Sequence, residues 1–190
     1  GCEVAASARK RGLAVTMIES FAAPMQRAIG LTAGQAMQAL HRSEGIDFRL
    51  EAKVAGFTDH GDGHLDGIGL ASGEVVSCDL AVEAVGSTAN TQWLAGNGLD
   101  LSDGVLCDNA MRVEGRADVV AAGDIARFPN LFADHVPRRI EHWAIPGFTA
   151  KRAAESLVQA MVDGSFAPVP AFWSDQHGLR LQSYGAPALG

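Results

Sequence analysis

No apolar run in these 190 residues approaches the roughly 18 that a membrane-spanning helix needs, so no membrane partner is expected. No cationic, apolar, small-residue succession opens the chain as in a secretory leader. Cysteine is scarce. Cys2, Cys78 and Cys107 are scattered, with no C-x-x-C and no metal spacing. They read as reduced thiols, and a cytoplasmic protein is expected. The net charge of −7 argues against nucleic acid as a partner. His41, His60, His64, His135 and His177 have no ligand spacing and read as surface groups, so no metal site is expected. An initiator methionine is missing, and the first residues already read as the inside of a helix. The expectation is a fragment cut at both ends. What is present is globular in composition, with 47% hydrophobic and 19% charged residues. The length suffices for one large domain or parts of two.

The organising stretch is Val119-Val120-Ala121-Ala122-Gly123-Asp124. Small and β-branched residues suit a strand covered on both faces. Gly123 allows a backbone or ligand to come close. Asp124 then falls at the carboxyl end of that strand, where open α/β sheets bind ligands. Its carboxylate would accept charge-assisted hydrogen bonds from sugar hydroxyls. An ordinary turn aspartate is the other reading of these six residues.

Upstream, residues 1–12 read as an Ala-rich helix. Arg9, Lys10 and Arg11 suit its negative end, and Gly12 its cap. Residues 13–18 read as a strand ending on Glu19. Helix, glycine, strand and acid form the second half of a dinucleotide-binding βαβ unit. An acid in that place accepts hydrogen bonds from adenosine ribose and repels a 2′-phosphate, so Glu19 favours NAD over NADP. A solvated strand-end glutamate is the alternative. Pro24 to Arg27 reads as a loop and 31–44 as a helix. Residues 59–66 carry metal-ligand types, yet no glutamate stands in register for an EF-hand. Asp62-Gly63 between two strand-like runs signals a hairpin instead. Gly73-Glu74 reads as a second turn, which gives a small meander. Residues 79–86 read as a return to the parallel sheet.

Farther on come Arg139-Ile140-Glu141-His142-Trp143, a helix to about Val162, and Phe172-Trp173-Ser174-Asp175-Gln176. This combination resembles the NADH-dependent ferredoxin reductases of the two-dinucleotide-fold flavoprotein superfamily, from Gly1 to about Gly185. The resemblance implies an α/β protein with two Rossmann-like dinucleotide-binding domains, both incomplete, a small β-meander, and the start of an α+β C-terminal domain. It divides the chain into residues 1–92 for NAD, 93–165 for the second segment of the FAD domain, and 166–190 for the C-terminal domain. The implied cofactors are FAD and NAD. Gly1 would be the third glycine of the G-x-G-x-x-G loop. Val85 and Gly86 would lie beside the nicotinamide half of NAD, with Ala89 where the family has proline. Gly123 and Asp124 would hold the ribityl chain of FAD. His142 and Trp143 would lie at the flavin ring, and Trp173 would either close its other side or pack in the core.

The implied activity passes electrons from NADH through FAD to a ferredoxin-type iron–sulfur carrier, for example of an oxygenase system. Hydride transfer needs no proton abstraction by the protein, so no catalytic residue is assigned, His142 included. Arg127, Arg138, Arg139, Lys151 and Arg152 form a basic set that reads either as a carrier-docking patch or as ordinary surface charge. The runner-up activities are a disulfide reductase and an apoptosis-inducing-factor-like flavoprotein. A non-catalytic truncated piece is the remaining alternative. The isolated 190 residues are expected to bind FAD poorly and to be inactive, since unpaired sheet edges would remain.

Overall fold

The computed structural model describes all residues except His60, Asp62, Ala133, Ala160, Met161, Asp163 and 188–190. The architecture is α/β, built of small sheets. The chain divides into two compact units. One comprises Gly1–Val85 with Trp173–Leu181, the other Gly86–Phe172 with Gln182–Ala186.

In the first unit, α1 (Cys2–Lys10) buries Cys2, Ala5 and Ala6 and carries Arg9 and Lys10 in its last turn. Strand β1 (Thr16–Ile18) pairs in parallel with β2 (Asp47–Arg49). Between them runs α2 (Gln26–Ser43), which starts five residues before the expected 31. Gly30 makes this possible: its backbone leaves the helical region at φ 79°, ψ 171°, joining two helical pieces across a kink. Ala5, Ile46 and Phe48 form the core, with Val15, Met17 and Leu50 against it. The meander follows as β3 (Val54–Asp59), β4 (Leu65–Leu70) and β5 (Val75–Ser77), all antiparallel. His60 and Asp62 of the expected hairpin turn lie outside the described residues. The expected strand at 79–86 does not form; the segment joins no ladder among the described residues. A strand exists through its neighbour's hydrogen bonds, and among the described residues β1 and β2 pair only with each other.

The second unit is centred on β6 (Val105–Leu106), β7 (Ala126–Pro129) and β8 (Pro137–Arg138). The first two are parallel and the last two antiparallel. Helix α3 (Ile145–Val158) covers them, with Pro146 in its first turn. Val105, Cys107, Met111, Val113, Ala126, Phe128, Ile145 and Ala153 make one core. Two expectations need correction here. Residues 119–122 are not a strand: only Val120 pairs, in an isolated bridge to Arg112. Gly123–Ile125 is a 3-10 turn, and the strand begins after it. Asp124 therefore enters a strand rather than ending one, because no parallel neighbour runs beside 119–122 among the described residues. The helix that follows the Glu141-His142-Trp143 stretch starts at Ile145. Pro146 fits the first helical turn, where no amide bond is lost.

The C-terminal part forms the hairpin of β9 (Ala171–Gln176) and β10 (Leu179–Tyr184). His41, expected at the surface, is fully buried, and the His177 side chain is only 5% exposed. The two rings meet edge to face at 4.7 Å.

Candidate functional site

The expected site residues form two groups, one in each unit. In the first, Gly1 caps the start of α1. A side chain at this position would place its Cβ 3.7 Å from Ala84 Cβ. Ala84 thus lies close to the helix start, although no ladder among the described residues holds it. Glu19 directly follows β1. Its N–H donates to the Arg49 carbonyl at 2.8 Å, carrying the parallel pairing one residue further. Its carboxylate accepts the Phe21 N–H at 3.1 Å and the Ser20 hydroxyl at 3.4 Å. That charge is felt at the helix start: burial foremost, and Glu19 after the opposing effect of the terminal amine, push the Cys2 thiol up. A helix N-terminus offering N–H groups and an acid at the carboxyl end of a parallel pair therefore stand together. The first suits a phosphate and the second a ribose. Val85 is 80% exposed.

In the second unit, Gly123 adopts φ 75° and donates its N–H to the Thr149 hydroxyl at 2.9 Å. Thr149 is fully buried and returns its own proton to the Ile145 carbonyl at 3.0 Å. This bond seats the Gly123–Ile125 turn on the first turns of α3. The Asp124 carboxylate side faces solvent, while the Asp124 carbonyl accepts from Arg139 at 3.3 Å. Gly86, at φ 102°, precedes Ser87, whose hydroxyl donates to Glu141.

His142 is half-buried against Phe172, ring centroids 5.3 Å apart. Its Nδ1 is buried with no hydrogen-bond partner among the described residues. Burial lowers its pKa and keeps the ring neutral. Trp143 stands just ahead of α3 and is 86% exposed, so it is not a core residue. Trp173 belongs to the first unit, half exposed, with the Arg180 guanidinium 5.7 Å from its ring centre.

The basic set is not an uncompensated patch. Arg127 pairs with Asp100 at 2.5 Å, Arg138 with Asp134, and Arg139 with Asp103 at 2.7 Å. Arg152 is buried, donates to the Gly164 carbonyl at 2.7 Å and lies over Phe166. Counting cations along the sequence misses the acids that the fold sets against them. Lys151 is exposed. Sequence reasoning also missed Thr149 and Ser87. No sequence signal singled out Thr149, because the buried face of α3 also carries Arg152 and Ser156. Arg139 and Glu141, two apart in an extended stretch, share a face, which hinted that they act as a pair.

The model of the pyridine nucleotide-disulphide oxidoreductase family matches residues 1–148. Rhodocoxin reductase of Rhodococcus erythropolis is 31% identical over 99% of this chain and 43% of its own length. Rubredoxin-NAD(+) reductase of Pseudomonas putida is 31% identical over 98% and 47% respectively. The chain thus spans a little under half the length of these curated relatives. Among solved structures, the covalent putidaredoxin reductase–putidaredoxin complex gives a TM-score of 0.85 at 28% identity, covering 96% of this chain and 43% of that one. The ferredoxin reductase for the CYP199A2 system from Rhodopseudomonas palustris gives 0.83 at 27%, covering 94% and 43%.

Proposed function

Because the chain belongs to the pyridine nucleotide-disulphide oxidoreductase family, we propose that the full-length protein is a cytoplasmic flavoprotein reductase. It takes electrons from NADH and passes them through FAD to a ferredoxin-type iron–sulfur carrier, for example of an oxygenase system. The names of the relatives support this: a rhodocoxin reductase and a rubredoxin reductase match nearly the whole chain. The observation that carries the reading is the seating of Gly123 on Thr149, which sets an exposed aspartate beside the start of α3.

The residues present suit the two cofactors. The buried, unpartnered Nδ1 of His142 and the exposed face of Trp143 await a partner. Gly123 leaves its Cα open, with nothing nearer to a Cβ there than Pro146 at 4.0 Å. In this reading Asp124 accepts hydrogen bonds from the ribityl chain. The start of α3 contributes N–H groups and partial positive charge toward the flavin ring. Trp143 lends an aromatic face to that ring, and His142 takes no catalytic role, since hydride transfer asks the protein for no proton. Gly1 opens α1 to the phosphates, Glu19 binds the adenosine ribose and rejects a 2′-phosphate, and Val85 and Gly86 border the nicotinamide. Trp173, in the other unit, keeps only its family position in support. Bound FAD supplies the two-electron to one-electron conversion; the chain binds, orients and tunes. Residues 1–92, 93–165 and 166–190 are the corresponding NAD, FAD and C-terminal segments.

Purifying the full-length protein tests the proposal. A yellow protein that reduces ferricyanide and a ferredoxin with NADH, and much more slowly with NADPH, is the expected result. A protein that stays colourless after incubation with FAD would refute it.

A further inference from the structure

Arg139 follows β8, and its side chain is only 10% exposed. Such a desolvated cation needs partners, and it has them from four separate places in the second unit. Nε donates to Asp103 at 2.7 Å, and Nη1 to Glu141 at 2.5 Å and to the Asp124 carbonyl at 3.3 Å. Nη2 reaches the Ser87 carbonyl at 3.4 Å. The Glu141 oxygen that pairs with Arg139 is also the one that accepts the Ser87 hydroxyl. Ser87 is thus held through its main chain and its side chain. Gly104 makes room for the arginine stem: a Cβ there would lie 2.6 Å from Arg139 Cδ.

A simple charge pair would need one carboxylate. This arrangement spends the planar fork on two carbonyls that belong to different loops, which a point charge would not align. One carbonyl follows Gly86, on the proposed nicotinamide side. The other is that of Asp124, on the proposed flavin side. Glu141 immediately precedes His142 and Trp143. We propose that Arg139 is a positioning residue that ties the Gly86-Ser87 loop to the Gly123-Asp124 turn, so that a nucleotide contacting the first shifts the second. Beyond the reductase reading on which it rests, this assigns a coupling element between the two cofactor sites.

Hydrogen exchange and steady-state kinetics on the full-length protein separate the two ideas. Arg139→Lys keeps the charge and its pairing with Asp103 or Glu141 but loses the fork. Amide exchange at residues 86–88 and at 123–126 should then rise together, with the unfolding midpoint little changed. The Michaelis constant for NADH should rise about fivefold or more, by more than kcat falls, and the flavin absorption band should shift. Ser87→Ala should give the same pattern, weaker. If exchange in Arg139→Lys rises at neither segment or at one alone, the coupling is refuted whatever the flavin content. If it rises at both while the wild-type protein takes up no FAD, the coupling stands and the reductase reading fails. Wild-type KM and flavin spectrum in a flavin-loaded Arg139→Lys would also overturn the positioning role.

Discussion

Gly104 occupies the tightest glycine position near the site. It sits at φ 81°, where a side chain is strained, and a Cβ would collide with the Ile125 carbonyl and press on Arg139. Gly104→Ala should therefore lose at least about 2 kcal/mol of stability in urea unfolding, from backbone strain plus overpacking. An unchanged midpoint would mean that the Arg139 stem moves aside freely. Thr149 works in the opposite way, by supplying an atom. Thr149→Val keeps the shape but leaves the Gly123 N–H without its acceptor, at a cost of about 1–3 kcal/mol. Thr149→Ser should retain most of the difference. If valine and serine variants unfold alike, the hydroxyl does not hold the turn.

Elements of the first unit are joined by a directional chain of hydrogen bonds. Glu3 of α1 accepts from the Ser174 hydroxyl at 2.6 Å, and Ser174 accepts from the Gln176 amide at 2.8 Å. The Gln176 oxygen must then accept from His41 Nε2, at 2.6 Å. Neutral His41 is left with an acceptor at Nδ1, which takes the His177 Nε2 proton at 3.1 Å. Glu44 lies 3.8 Å from the far nitrogen of His177. Protonating His41 would set two donors against each other between α2 and the β9–β10 hairpin. Burial, foremost, already lowers its pKa from 6.5, against a raising effect of Gln176, and burial lowers His142 likewise. A histidine with a depressed folded-state pKa leaves the folded form with fewer protons than the unfolded one. Its stabilisation is complete above 6.5 and drains as pH falls below that value. Stability should therefore fall from about pH 7 to about pH 5, and His41→Gln should flatten part of that slope. The carboxylates act in a separate, lower window: Asp100 and Asp134 are held down to about 2 by hydrogen bonds, and their contribution goes only as pH falls from 3.8 toward that value. A flat profile above pH 5 would contradict the histidine assignment. The burial of His41 was not read from the sequence, although it stands with Gly34 and Met37 at helical spacing on one buried face of α2. The helices, the meander and the terminal hairpin were legible, since period and turn residues are local properties. Residues 79–86 and 119–122 were not, because a parallel strand is defined by its neighbours and its own composition reports only apolarity. At the proposed site, Glu19, Gly123 and Asp124 were singled out by their motifs. Thr149 could not be, and of the Arg139 cluster only the pairing with nearby Glu141 could, since Gly123, Asp103 and Ser87 lie 26, 36 and 52 residues from their partners.

Across the whole molecule, apolar surface is unevenly covered. Both cores are closed, yet Leu80, Val82 and Val85 lie exposed along one extended segment. That segment sets these three side chains around the charged Glu83, and it makes no ladder among the described residues. Open backbone groups beside an apolar row form a template for pairing with another chain. No helix among the described residues is long and apolar enough to cross a membrane, so a spanning helix does not take up this surface. The 190-residue chain on its own should therefore associate as its concentration rises, visible in light scattering, and should bind a hydrophobic dye. Leu80→Lys with Val82→Lys should suppress both, because buried charge and like-charge repulsion oppose strand addition there. The core residues Ile46 and Phe48 are untouched by those substitutions, so the helical circular dichroism should stay unchanged. Association that persists in the double variant would move its source to another exposed apolar surface, with Trp143 and Phe57 the first to replace.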